Sequence, residues 1–130
     1  MEKNKSIYLS IIFVVILIAG VFIFTNNKNE AGDGGNNISI INGKQIITIS
    51  AKGGYSPRTT NAKADIPTVI KMETNGSFDC SSSLAIPSLS YRNNLPLTGE
   101  TSIDVPPQKA GAKLQGICAM GMYNFVINFN

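Results

Sequence analysis

Sulfur-containing side chains are concentrated in one short segment of the sequence, CAMGM, formed by residues 118–122. Cys118, Met120 and Met122 occupy every second position there, and Cys80 is the other cysteine of the 130-residue chain. Thiolate and thioether sulfurs are soft ligands that together favour Cu(I), whereas zinc gains little from thioethers and calcium requires oxygen. A metal ion bound by these four residues is therefore expected to be Cu(I).

The absence of histidine excludes several classes of site. Catalytic centres of the Ser-His-Asp or Cys-His type cannot be built, and neither can a His-containing zinc site or the His₂Cys site of blue-copper electron carriers. No Cys-x-x-Cys pair is present to indicate a thioredoxin-like redox motif. We therefore expect a protein that is not an enzyme, and a redox carrier is disfavoured.

The spacing of the sulfurs allows more than one interpretation. In an extended segment Cys118, Met120 and Met122 would project to the same side, and Gly121 would permit a sharper turn that closes both methionines around one ion. Cys80 would then have to reach them from another strand or loop. Alternating Cys and Met is also typical of a strand face that packs in a core, and two cysteines in an exported domain can form a structural disulfide.

The apolar residues beyond the first third of the chain recur with a period of two, which predicts strands. The segments are KQIITIS (44–50), IPTVIKM (66–72), TSIDV (101–105) and YNFVINF (123–129). Turn signals separate them, among them Asn42-Gly43, Gly53-Gly54, Asn75-Gly76 and Gly111. Short strands divided by such turns predict an all-β antiparallel sandwich or barrel.

Composition divides the chain into four parts. Residues 1–6 are a short basic N-terminus, and residues 7–24 are 18 uncharged, mainly aliphatic residues. As a helix they would span ~27 Å, close to the ~30 Å hydrocarbon core, so they predict a single transmembrane helix that anchors the chain in the membrane. Residues 25–37 are rich in Asn and Gly and predict a flexible linker, and residues 38–130 are long enough for one modest core. The basic residues are scattered, so no nucleic-acid partner is expected.

Several short motifs follow one another in a recognisable order. They are GGYSP (53–57), FDC (78–80), AIPSL (85–89), LPLTGETSIDVPPQKAG (95–111) and CAMGMY (118–123). Residues 44–130 thereby resemble the cupredoxin-like domain found in iron-uptake-associated proteins, copper ATPase extensions and membrane-anchored copper chaperones of the Cup type, and the last of these most of all. The resemblance implies a Greek-key β-sandwich that has lost the blue-copper histidines.

The same resemblance implies a ligand set and a function. Cys80 and Cys118 would hold one Cu(I) tightly, and Cys118 would bridge to a second Cu(I) completed by Met120 and Met122. The chain would be a monomeric, membrane-tethered Cu(I) chaperone or buffer that passes copper to a copper-exporting P-type ATPase or sequesters it. The alternative is a metal-free exported β-sandwich that acts as an interaction module and is closed by a Cys80–Cys118 disulfide.

Three positions depart from the family pattern. An aromatic residue is common two residues before the second cysteine, where this chain has Gly116, and Gly is common directly after that cysteine, where it has Ala119. Gly is also common shortly after the Met-Tyr pair, where Asn124 and Phe125 follow. The departures concern the shape of the loop more than the ligands. Outside the ligand set, we expect Tyr55 to pack near the site and Met72 to lie in the core.

Two arguments disagree about the side of the membrane. Lys3 and Lys5 precede the apolar segment, and the positive-inside rule would then place the domain outside the cytoplasm. The copper-chaperone resemblance and the need for reduced thiols place it inside. The sequence predicts a single-pass plasma-membrane protein whose domain faces outward, with the cytoplasmic orientation as the alternative.

Overall fold

The computed structural model describes residues 2–25 and 36–130, with helical side chains described at residues 4–5 and 7–18. One α-helix and ten strands lie in these ranges. They are α1 (Glu2–Thr25), β1 (Ile38–Ile41), β2 (Lys44–Ala51), β3 (Tyr55–Ser56), β4 (Thr59–Ala62), β5 (Thr68–Asn75), β6 (Ser83–Ile86), β7 (Tyr91–Asn94), β8 (Thr98–Val105), β9 (Lys113–Cys118) and β10 (Asn124–Phe129). Two three-residue 3-10 turns, Cys80–Ser82 and Pro87–Leu89, flank β6.

The strands form two sheets whose inner faces share one core. The first sheet has the order β1-β2-β5-β8, with β3 added to β2, and the second has the order β4-β10-β9-β6-β7. Most pairs are antiparallel, but β2 pairs with β5 and β4 with β10 in parallel. The predicted β-sandwich is confirmed.

The period-two pattern positions the core as predicted. Phe125, Ile127 and Phe129 on β10 are fully buried, as are Ile70 and Met72 on β5. Burial of side chains of this size contributes about 1.5–3 kcal/mol each, so the alternation fixes which face of each strand points inward. The expectation that Met72 belongs to the core is confirmed. Strand ends differ slightly, because β5 begins at Thr68 and β10 at Asn124.

Strand directions bring three loops to one end of the sandwich. Leu84 at the start of β6 pairs with Cys118 at the end of β9, and Ala51 at the end of β2 pairs with Tyr55 in β3. The loops 52–54, 76–82 and 119–123 therefore lie at the same end, which we call the sulfur end. It contains both cysteines and both methionines of the predicted ligand set.

The predicted membrane assignment is wrong on the described residues. In the described parts of the chain, no helix is long and apolar enough to cross a membrane. This corrects the prediction of a single-pass plasma-membrane protein in either orientation. Most of the predicted linker, residues 26–35, lies outside the described residues.

Candidate metal centre

Cys80 and Cys118 come together at the sulfur end. Cys118 is the last residue of β9, and Cys80 opens the 3-10 turn before β6, so the second cysteine does arrive from another loop. Their sulfurs are joined as a disulfide, and their Cα atoms lie 5.8 Å apart across 38 positions of sequence. The structure therefore has the oxidised form of the pair, and reduction would leave two neighbouring thiols.

Cys118 is fixed by the backbone around it. Its side chain is only 1% exposed, and its N–H donates to the carbonyl of Tyr123 at 3.0 Å. The Tyr123 N–H in turn donates to the Cys118 sulfur at 3.4 Å. A hydrogen bond of this kind stabilises negative charge on the sulfur, so the site is suited to a thiolate once the disulfide is reduced.

Asp79 organises the turn that carries Cys80. Its carboxylate accepts from the N–H of Ser81 at 2.9 Å, from the Ser81 hydroxyl, and from the N–H of Gly53 at 2.5 Å. The hydrogen bonds from Ser81 are the main cause that lowers the pKa of Asp79 below its ordinary value. The charged carboxylate therefore caps the 3-10 turn and ties it to the 52–54 loop.

Tyr55 supports the same turn from the core. It is 4% exposed, its ring packs edge-on against Phe125 with centroids 5.2 Å apart, and its hydroxyl donates to the Ser81 carbonyl at 3.1 Å. Burial, and then the nearby Asp79 charge, raises the pKa of Tyr55 to about 12. The phenol stays protonated and remains a donor. The expectation that Tyr55 packs near the site is confirmed.

Met120 and Met122 lie on the turn between β9 and β10 and are 78% and 65% exposed. The chain does not continue as an extended strand after Cys118, because the Gly121 N–H donates back to the Cys118 carbonyl at 2.9 Å and Gly121 has φ +71°. Of the two arrangements that the sequence left open, the structure has the turn at Gly121 and not the extended segment. Core packing holds for Cys118 but not for the two methionines.

Gly116 and Phe125 explain two of the departures from the family pattern. They face each other in the register of β9 and β10. A Cβ atom at Gly116 would lie 2.2 Å from Cε1 and Cζ of the Phe125 ring, which is fully buried. The bulky side chain of this pair thus stands on β10 and the glycine on β9.

Comparison with known proteins establishes the family. The family model of the cupredoxin-like domain matches residues 14–127. This chain belongs to the cupredoxin-like family. The resemblance inferred from the sequence is confirmed at this level, and the closer likeness to Cup-type chaperones stays a prediction.

Solved structures share the fold of this cupredoxin-like domain. The metal-binding domain of the Streptococcus pneumoniae D39 Cu(I)-exporting P-type ATPase CopA, solved with Cu(I), is similar at 24% identity and a TM-score of 0.63, over 72% of this chain and 92% of that one. A copper-binding protein solved in the apo form by NMR is similar at 24% identity and a TM-score of 0.66, over 76% of this chain and all of that one. No curated protein sequence matches this chain.

The candidate ligands predicted from the sequence of this cupredoxin-like chain are all sulfur atoms. Among the described residues, no group of three or more His, Cys, Asp or Glu side chains could hold a metal ion. The sulfur end contains two cysteines that are adjacent in space and two exposed thioethers, which follow Cys118 by two and four residues. Such a set suits a soft monovalent cation better than zinc, calcium or magnesium.

The sequence reasoning missed Asp79 and the 3-10 turn that it caps. A signal was present, since an Asp side chain commonly accepts a hydrogen bond from the backbone N–H two residues further on and so caps a turn. Its importance rests on the bond to Gly53, 26 positions away, which no local pattern reveals.

Proposed function

We propose that this cupredoxin-like protein binds Cu(I) as cargo and acts as a copper chaperone or buffer, without catalysing a reaction. The observation that carries the proposal is the meeting of Cys80 and Cys118 beside a turn with two exposed methionines, in a chain without histidine. Four sulfur ligands within one loop region favour Cu(I) over the other common metal ions.

The inner ion would bind between Cys80 and Cys118. Reduction of the disulfide takes up two electrons and two protons and leaves two thiols whose Cα atoms are 5.8 Å apart. Loss of the protons on metal binding gives two thiolates that can bind the same ion. Because Cys118 is 1% exposed, an ion held there would be shielded from competing ligands in water.

A second ion would share Cys118 and complete its ligands with Met120 and Met122. Thioethers are neutral, so they bind Cu(I) more weakly than thiolates do and need lose no proton first. Their exposure of 78% and 65% leaves them accessible to a partner. The second ion would therefore exchange more readily than the first.

The acceptor would be a copper-exporting P-type ATPase or another protein that binds Cu(I) through sulfur. The fold shared with the metal-binding domain of such an ATPase supports this choice. We propose that the chain carries out the exchange as a monomer.

Anaerobic Cu(I) titration of the full-length chain tests the proposal. Under strict reduction, competition with a Cu(I) chelator should show two ions per chain, the first bound more tightly. The same chain kept oxidised serves as the control and should lose the tighter ion, since the disulfide sulfurs carry no charge. Failure of the reduced chain to compete with the chelator would refute copper binding.

The disulfide supports one other candidate, an exported β-sandwich interaction module that binds no metal. In that case Cys80–Cys118 would be a permanent cross-link between β9 and the turn before β6. Thiol titration of the native protein at increasing reductant separates the two candidates. Free thiols together with tight Cu(I) binding support the chaperone, whereas a bond that resists reduction supports the module.

A further inference from the structure

A cleft of about 340 Å³ opens beside Met122 at the sulfur end. One wall is formed by the loop 52–54 with β3, and the other by residues 122–124. Lys52 and Arg58 both line it, so two cationic side chains face the same space as a methionine of the candidate copper site. The volume is in the range of small-molecule sites.

The two cations are not neutralised within the protein. No described carboxylate forms an ion pair with Lys52 or Arg58, whereas Lys44 and Lys71 elsewhere on the surface have acidic partners. One carboxylate, that of Asp79, reaches the rim of the cleft, where it accepts a hydrogen bond from the Gly53 N–H. Its oxygens already accept from Gly53 and Ser81. The cleft thus keeps two positive charges available for a ligand.

We propose that this basic cleft binds the carboxylates of a small anionic thiol that carries Cu(I) to Met122. The inference rests on the proposed function, and it adds the class of donor from which the site is loaded. In the exchange a Cu–S bond to the carrier breaks and a Cu–S bond to the protein forms. The carrier thiolate leaves and takes up a proton, and copper stays Cu(I) throughout.

The chemistry of Cu(I) in water favours such a carrier. Soft thiolates are its preferred small ligands, and a thiol that also has carboxylates gives a complex of net negative charge. Arg58 can bind a carboxylate through two parallel hydrogen bonds, and Lys52 adds a second, mobile charge. Carboxylates held there would place the carrier's sulfur and its copper next to the exposed thioether of Met122.

The first test uses a ligand that cannot deliver copper. Methylthiosuccinate, a dicarboxylate whose sulfur is blocked, should shift the amide signals of Gly53, Gly54 and Ser56 in ¹⁵N spectra of the copper-free chain. The shifts should disappear in Lys52→Gln/Arg58→Gln and persist in Lys109→Gln/Lys113→Gln. The control pair removes the same charge from exposed positions at the opposite end of the sandwich. Equal shifts in both double variants, or none in the wild type, would overturn the proposal.

The second test compares two copper donors that differ in the charge of their tails. Cu(I)–mercaptosuccinate is anionic and Cu(I)–cysteamine is cationic, while both hold copper through a thiolate sulfur. At low salt the variant lacking Lys52 and Arg58 should accept copper from mercaptosuccinate at least about fivefold more slowly than wild type. It should accept copper from cysteamine no more slowly, and the difference should shrink at high salt. Equal slowing with both donors, or with neither, contradicts a carboxylate site.

The two tests separate this inference from the function on which it rests. If the wild-type chain accepts copper from neither donor, the proposed function fails, and the ¹⁵N measurement still decides whether the cleft binds dicarboxylates. If copper is bound as proposed but methylthiosuccinate is not, only the inference about the cleft is overturned.

Discussion

Cys118 and Met120 are two residues apart, yet one is 1% exposed and the other 78%. The cysteine ends a strand and faces the core, and the methionine follows on a turn that faces solvent. The cysteine pair is also held by hydrogen bonds from three segments, whereas the methionine turn is held by backbone hydrogen bonds to Cys118 and Ser83. A short segment can therefore join a protected ligand to an accessible one, which is what a site that retains one ion and exchanges a second would require.

The strongest way to break this comparison is to remove a thiolate. Cys80→Ser and Cys118→Ser should each abolish the tightest Cu(I) binding, lowering its affinity by orders of magnitude, because only a thiolate adds negative charge to the bond. Competition with a Cu(I) chelator under strict reduction gives the affinity. Circular dichroism checks that each variant folds. Cys118→Ala is the control for any effect of burying the serine hydroxyl at position 118. Wild-type affinity in both serine variants would show that the cysteines do not bind copper.

Removal of the exposed thioethers should have a smaller and more selective effect. Met120→Leu/Met122→Leu should keep the fold, since Leu and Met have similar volume, and should retain one tight Cu(I) while losing a second, weaker one. Transfer to an acceptor should also slow. Met72→Leu is the matched control, because it removes a fully buried sulfur without touching the sulfur end. An unchanged stoichiometry and affinity in the double variant would contradict a ligand role for the turn.

The strand that positions Cys118 can be tested through its tight packing. Gly116→Ala should lower the free energy of unfolding by about 1–3 kcal/mol, because its new Cβ would overlap the buried Phe125 ring. Urea unfolding gives the free energy of unfolding of this variant, of Phe125→Leu and of the double variant, which together with wild type form a double-mutant cycle. We expect the two changes to be less costly together than their sum. Strict additivity would show that the ring moves aside freely.

The smallest effect concerns pH and the turn of Cys80. The pKa of Asp79 is lowered in the folded protein, so its contribution to stability is complete above its ordinary value of 3.8 and is lost as the pH falls through the lowered pKa. Asp79→Asn should therefore be less stable than wild type near pH 7, and the gap should narrow near pH 3. Urea unfolding of both proteins at each pH measures it. A gap that stays constant would mean that the carboxylate charge does not stabilise the turn.

Much of the fold could be predicted because the signals for strands and tight turns, alternating apolar residues and turn dipeptides, lie within short stretches of sequence. Alternation in residues 123–129 placed Tyr123, Phe125, Ile127 and Phe129 on one face, and of these the last three are fully buried and Tyr123 partly buried. The turn at Asn42-Gly43 joins β1 and β2 directly, with both residues at positive φ, as this dipeptide favours. The parallel pairing of β2 with β5 had no such local signal, because it depends on how distant strands share the core.

The site was predicted less completely, because contacts rather than residue types decide its form. The meeting of Cys80 with Cys118 was implied by the family resemblance, but the Asp79–Gly53 bond that holds the turn joins loops 26 positions apart. The sequence left open whether Met120 lies on an extended strand or a turn, and the choice depends on one hydrogen bond, from the Gly121 N–H to the Cys118 carbonyl, that bends the chain. The membrane-spanning prediction rested on composition alone, and the described helix does not support it.

The small residue Gly116 and the large residue Phe125 are matched in size across β9 and β10, and this matching limits how the protein can evolve. An aromatic residue introduced at Gly116 would collide with the ring already present, and glycine introduced at Phe125 would leave a cavity where that ring is fully buried. Either single step toward the reverse arrangement, with the aromatic residue on β9 and the glycine on β10, therefore passes through a destabilised protein. The two arrangements are therefore separated by a barrier to single substitutions. A chain that has adopted one of them is held to it by the folding of the strand that carries Cys118.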